Sequence, residues 1–189
     1  MVIVLKDRIK WNEKYRRKQY PAEPSQIVKD FFGLAPGKNA LDIGAGSGRN
    51  SLFLAEHGFS VDAVDISEEG LKQFADTHPE IRPICADLDT FDIPGKRYDL
   101  IVNVKFLNRR LFPYIKEGLR PGGLLIFETF LEAADPDVVK TMQRDYLVRE
   151  NELLHAFISL HILYYKEEPG EDDDGMFLAS LVAQKRSVP

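Results

Sequence analysis

Three glycines within five positions, Gly44, Gly46 and Gly48, separate the apolar run "NALDI" from the helix-like run "RNSLFLAEHG". A chain that turns so sharply from strand to helix needs residues without Cβ atoms, and the bare backbone lets a ligand approach closely. In open α/β sheets such a junction sits at the carboxyl end of a parallel strand, where ligands bind. Apolar and amphipathic runs go on alternating downstream. "FSVDAVDI", "IRPICAD", "YDLIVNV" and "LLIFETF" read as further strands. "SEEGLKQFADTH", with Ser67 as N-cap, "FLNRRLFPYIKEGL", kinked or divided by Pro113, and "VRENELLHAF" read as helices. The final runs, "SLHILYYKEE" and "GMFLASLVAQKR", are joined by an acidic loop too short for a crossover helix, so they must pair antiparallel. The expected fold is α/β: a doubly wound, mostly parallel seven-stranded sheet with helices on both faces and a C-terminal antiparallel hairpin. Residues 131–148, the least periodic stretch, are expected over the carboxyl ends of the strands.

At 189 residues the chain suits one domain, with residues 1–36 a basic, aromatic helical arm over the site and 37–189 the core. Its composition, 44% hydrophobic and 29% charged, is that of an ordinary soluble globular protein. The opening turns charged at Lys6, and no apolar stretch approaches the roughly 20 residues of a membrane span. A cytoplasmic protein without membrane contact is expected. The single cysteine, Cys85, reads as a buried strand residue with no partner for a disulfide or a metal cluster, so no metal is expected. A net charge of −5 argues against a nucleic-acid partner. The charge is uneven, however. Residues 6–18, "KDRIKWNEKYRRK", carry seven basic residues against two acids and interleave Trp11 and Tyr15, whereas "EEPGEDDD" at 167–174 is acidic throughout its charged positions.

The dehydrogenase fingerprint places its third glycine at the sixth position, which here is Arg49, and no Gly-Lys-Ser/Thr follows as a P-loop requires. What remains is Asp-x-Gly-x-Gly-x-Gly, with Asp42 either ordering the loop or accepting from a ligand ammonium. Asp65 ends the second strand, 21 residues past Gly44, where a carboxylate accepts from ribose hydroxyls. Asp87 stands just past the third strand, where it would face an adenine amino group. Three carboxylates at successive strand ends disfavour a pyrophosphate and tolerate a cation. S-adenosyl-L-methionine, a nucleoside with an ammonium and a sulfonium, meets those terms. Its product would be S-adenosyl-L-homocysteine.

"LDIGAGSGRN", "VDAVDIS", "CADL", "YDLIVNV" and "LRPGGLLIFETF" resemble, in order, the motifs of the class I S-adenosylmethionine-dependent methyltransferases, whose fold is Rossmann-like. "WNEKY" and "YLVRENELLHAF" followed by the hairpin resemble the tellurite-resistance (TehB-like) group of that superfamily. The resemblance implies that Asp42, Gly44, Ala45, Gly46, Gly48 and Asn50 line the methionine end of the cofactor. It likewise implies Asp65, Ile66 and Ser67 at the ribose and adenine, Asp87 and Leu88 at the adenine edge, and Asn103 with Lys105 beside the transferable methyl.

Methyl transfer is an in-line displacement, so the protein's main task is to hold acceptor and methyl aligned and to exclude water. Glu128, at the end of the fifth strand, is the candidate base, and Lys105 the second candidate catalytic group. "NVKF" lacks the Asn/Asp-Pro-Pro-aromatic pattern that grips a flipped base, and a small-molecule acceptor is expected. Trp11 and Tyr15 are candidates to cover the sulfonium, and Arg109, with Arg110, Arg16 and Arg17, to meet an anionic acceptor. The alternative is a protein that senses S-adenosylmethionine without turnover. The chain is expected to be a monomer or a homodimer.

Overall fold

A computed structural model describes residues 2–17, 20–132, 146–170 and 176–187. Seven strands form one sheet: β1 (Asn39–Ile43), β2 (Ser60–Asp65), β3 (Ile81–Cys85), β4 (Tyr98–Val104), β5 (Leu119–Phe130), β6 (His161–Pro169) and β7 (Phe177–Gln184). Their order is β3-β2-β1-β4-β5-β7-β6. β1 to β5 pair parallel, and β7 joins antiparallel between β5 and β6. This is the Rossmann-like sheet with the terminal hairpin expected from the sequence. After β3 the chain returns across β1 to form β4, so the strand order reverses between β1 and β4. That reversal opens a crevice at their carboxyl ends.

Both faces of the central strands are buried, which is why they read as continuous apolar runs. Alternation still decides the face. Leu41, Ile43, Ile101, Leu125 and Phe127 enter one core, while Ala40, Leu100, Val102, Leu124 and Ile126 enter the other. Helices α1 (Val2–Arg17), α2 (Gln26–Phe31), α3 (Arg49–Glu56), α4 (Glu68–Leu71), α5 (Leu111–Gly118) and α6 (Glu152–Phe157) cover the sheet and its carboxyl end.

Three sequence expectations need correction. The helix expected over 67–78 is a single turn, after which bonds from Gln73 N to Gly70 O and from Phe74 N to Leu71 O tighten the chain. The tightening lays the buried Phe74 ring over Gly48, whose φ is +81° and where a Cβ would lie 2.3 Å from the ring. At Gly48, then, the close approach is made by the protein itself. Pro113 neither kinks nor divides its helix, because α5 begins at Leu111 and the proline falls in the first turn, where its missing N–H costs nothing. Cys85 is exposed rather than buried, since β3 is an edge strand covered on one side only. Residues 133–145 of the aperiodic stretch and 171–175 of the acidic loop lie outside the described residues.

Away from the crevice, one buried carboxylate ties three strands. Asp62 of β2 accepts from Arg82 Nε at 2.8 Å and Nη2 at 2.7 Å, from Arg97 Nη2 at 3.2 Å, and from the buried Tyr98 hydroxyl at 2.8 Å. Burial and the carboxylate together raise the Tyr98 pKa, so the phenol stays a donor. Replacing Asp62 with alanine strands that hydroxyl. Urea unfolding is expected to show a loss of about 2 kcal/mol, and Tyr98→Phe in the same background should recover much of it.

Candidate active site

Residues 44–48 form the loop between β1 and α3, and Gly44, Gly46 and Gly48 all take left-handed backbone. Amides of Gly44 and Ala45 donate to Val64 O at 2.9 and 3.0 Å, which pins the loop to the end of β2. Asp42 is 2% exposed and accepts from Ser51 Oγ at 2.6 Å, so it orders the loop from beneath by bonding the first turn of α3. Burial pushes its carboxyl up to about 6, against the opposing influence of Ser51 and Arg49. Asp65, 8% exposed, receives Gly46 N at 2.8 Å on one oxygen and Ser67 N at 2.7 Å on the other. Its carboxyl is also raised by burial, with those backbone donors working the other way. Each oxygen keeps accepting capacity beyond its single amide.

Above this floor lies α1. The Tyr15 hydroxyl stands 2.3 Å from where a Cβ on Gly46 would be, and its ring packs on Gly70. Burial and the nearby Asp65 raise the phenol's pKa, which keeps it protonated. It makes no hydrogen bond among the described residues. Trp11 and Tyr20 flank it, with ring centroids 6.1 and 4.7 Å away, and Lys14 Nζ sits 4.3 Å from the Trp11 centroid. Only glycine at position 46 leaves room for this phenol or for a ligand in its place.

The β4 side of the crevice is built from residues 103–106. Asn103, 1% exposed, donates through Nδ2 to Phe106 O at 2.6 Å. That turn sets the Phe106 side chain against Gly44, where a Cβ would be 2.9 Å away. Lys105 takes φ +55°, an uncommon conformation for a residue with a side chain. The conformation lets its amide donate to Glu128 O at 2.7 Å, which joins the ends of β4 and β5. The Lys105 side chain is exposed, with Nζ 5.9 Å from the Phe130 centroid. Glu128 is half-buried and accepts from Ser180 Oγ at 3.0 Å.

The third acid, Asp87, is half-buried just past β3 and accepts Asp89 N at 2.9 Å. Leu88 beside it is buried, and Ile66 is half-buried at the head of the turn into α4. Asn50 points elsewhere, as its Oδ1 accepts Ser25 N at 2.9 Å and so joins α3 to α2. Arg109 is committed too. Nε and Nη2 grip Glu152 at 2.5 and 2.9 Å, and Nη2 reaches Leu147 O at 2.8 Å. Arg110 donates to Leu88 O and Phe91 O, Arg16 pairs with Glu69, and Arg17 lies 3.9 Å from Glu13. Among the described residues no cluster could hold a metal ion, and no helix is long and apolar enough to cross a membrane.

The structure also assembles residues that the sequence did not single out for the site: Asn12, Ser51 and Phe106. Ser51 had a readable signal, nine positions past Asp42 on the buried face of α3. Asn12 and Phe106 reach the site only through tertiary packing.

A glycine loop at the reversal of strand order, with acids at the ends of β1 and β2 and a third just past β3, belongs to the class of S-adenosylmethionine-dependent methyltransferases. The family model described as "Tellurite resistance protein TehB" matches residues 3–175, and the chain belongs to that family. A probable S-adenosyl-L-methionine-dependent methyltransferase, TehB, of Haemophilus influenzae is 30% identical over 195 residues, covering 92% of this chain and 67% of the relative. The crystal structure of TehB from Haemophilus influenzae superposes with a TM-score of 0.76 at 25% identity, over 93% of this chain and 67% of that one. A ubiquinone biosynthesis O-methyltransferase of Coxiella burnetii is 33% identical over 103 residues, 49% of this chain and 44% of that protein. The chain thus spans about two-thirds of the TehB relative and under half of the quinone-pathway enzyme.

The raised Asp42 carboxyl has a measurable consequence. Between its unfolded value near 3.8 and its folded value of about 6, the native state holds a proton that the unfolded chain has released. Its contribution to stability is therefore greatest below pH 4, falls as the pH rises to 6, and then levels off. Asp42→Asn should match wild type near pH 4 and exceed it by up to about 3 kcal/mol at pH 7 in urea melts. Whatever slope remains in the variant belongs in part to Asp65.

Proposed function

We propose that the chain binds S-adenosyl-L-methionine across the glycine loop and transfers its methyl group to a small-molecule acceptor by direct displacement. The observation that carries this reading is the anchoring of the glycine loop, with the amides of Gly46 and Ser67 on the two oxygens of the buried Asp65 carboxylate. The bare Gly46 backbone beside it is met by the neutral Tyr15 phenol, which a ligand would displace.

The residues fit the cofactor. Asp65 has lone pairs for the two ribose hydroxyls, and Ile66 and Leu88 offer apolar surface for adenine, with Asp87 at its edge. Gly44, Ala45 and Gly46, with Asp42 beneath and Asn103 across the crevice, would hold the methionine end, while Gly48 serves the loop by admitting the Phe74 ring. When bound, the cofactor supplies a methyl carbon already activated by its sulfonium. Trp11 and Tyr15 of α1 cover the crevice and keep water out. Glu128 and Lys105, at the ends of adjacent strands, face the acceptor side. Glu128 would accept a proton from an acceptor that carries one, whereas a thiolate or a reduced chalcogen anion needs no base at neutral pH. Arg109, held by Glu152, would shape the acceptor side rather than pair with an anionic acceptor.

A non-macromolecular acceptor also accords with the name of one relative, a ubiquinone biosynthesis O-methyltransferase. The test is formation of S-adenosylhomocysteine with a panel of thiols, selenite, tellurite and small phenols. Turnover with at least one is expected. Glu128→Gln should lower kcat at least tenfold with a protonated phenol and leave a thiolate acceptor within about threefold. Tight cofactor binding with no turnover on any acceptor would favour a sensing role instead.

A further inference from the structure

Helix α1 is held over the crevice by one polar side chain that the cofactor reading does not use. Asn12 Oδ1 accepts from Ser67 Oγ at 2.7 Å and from Glu69 N at 3.3 Å. A backbone amide can only donate, so the oxygen of the Asn12 amide must face it. Ser67 is fully buried, and its hydroxyl also accepts Gly70 N at 3.1 Å, which caps α4. Its own amide donates to Asp65 Oδ1 at 2.7 Å, and the other Asp65 oxygen takes Gly46 N at 2.8 Å. Gly46 is the residue beneath the Tyr15 hydroxyl. Asn12 and Tyr15 are three positions apart, on one face of α1. The contacts therefore close a ring: Asn12, Ser67, Asp65, Gly46, Tyr15 and back along one helical turn.

Two further polar ties of the arm are exposed: Arg16 to Glu69 at 3.2 Å, and Gln73 Nε2 to Tyr15 O at 3.2 Å. Exposed pairs of that kind contribute little. The half-buried Asn12 contact, together with the Tyr15 ring packed on Gly70, seats α1.

We propose that Asn12 is a positioning residue that couples the seating of α1 to the geometry of the Asp65 turn, so that cofactor retention depends on a side chain that does not touch the cofactor. The proposal rests on the cofactor reading above. With Asn12 in place, Ser67 fixes the Asp65 carboxylate and Tyr15 is pressed over Gly46. Without it, both relax together and the roof over the nucleoside loosens.

Trp11 is the single tryptophan of the chain and neighbours Asn12, so its emission reports the seating of the arm. Wild type, Asn12→Ala and Asn12→Asp are titrated with S-adenosylhomocysteine by calorimetry and by stopped-flow Trp11 fluorescence, with thermal melts to confirm folding. Asn12→Ala is expected to release the nucleoside about tenfold faster, and its ligand-free Trp11 emission should shift to the red. Asn12→Asp keeps the acceptor and should restore wild-type behaviour within about threefold. A wild-type release rate in Asn12→Ala, or an Asn12→Asp variant as fast as Asn12→Ala, would overturn the coupling. Failure of the wild-type protein itself to bind would overturn the cofactor reading and the coupling with it, and is recognisable because it appears before any substitution.

Discussion

The Asp65 carboxylate is the constraint on which the crevice depends. It lies at the end of β2, almost without contact with water, and its two oxygens hold the backbone of the glycine loop and of the turn into α4. A buried carboxylate persists only where donors meet it, and here the donors are amides whose positions the site needs fixed. The glycine loop cannot drift from β2 without taking one of that charge's two amide donors away. Everything above it, from the Phe74 ring against Gly48 to the Tyr15 phenol over Gly46, is placed by reference to that anchored loop.

Electrostatics and topology act together at this point. Strand order reverses between β1 and β4, so the crevice exists whatever side chains line it. The side chains then give it a sign. Asp42 and Asp65 are close enough for each to raise the pKa of Tyr15, while Arg49 at the start of α3 opposes them. A polyanion would meet two buried carboxylates there, whereas a nucleoside bearing an ammonium and a sulfonium would not be repelled. The same cluster keeps the phenol neutral and able to donate.

Most of the fold was legible because strand and helix periods in this chain are clean. The terminal hairpin followed from loop length alone, and the parallel order followed from the alternation of runs. The glycine triad and Asp65 marked the β1–α3 turn and the end of β2 because their spacing is local. What escaped was decided by tertiary contact. The helix after Ser67 stops early because Gly70 packs on Gly46 O, with 2.7 Å to a Cβ position, and the chain must tighten to bring Phe74 inward. Arg109 looked available for an anion because its partner, Glu152, lies 43 residues away. Cys85 looked buried because a strand read alone does not disclose that it is an edge. Asn50 follows the glycine motif directly, but the helix turns its side chain toward Ser25.

Calorimetric titration with S-adenosylmethionine, S-adenosylhomocysteine and NADH, in wild type and in Asp65→Ala, tests the central claim most directly. The account predicts binding of the first two by the wild-type protein, loss of at least a hundredfold in affinity in the variant, and no binding of NADH. Absence of binding in a folded wild-type sample, or binding undiminished by Asp65→Ala, would contradict it.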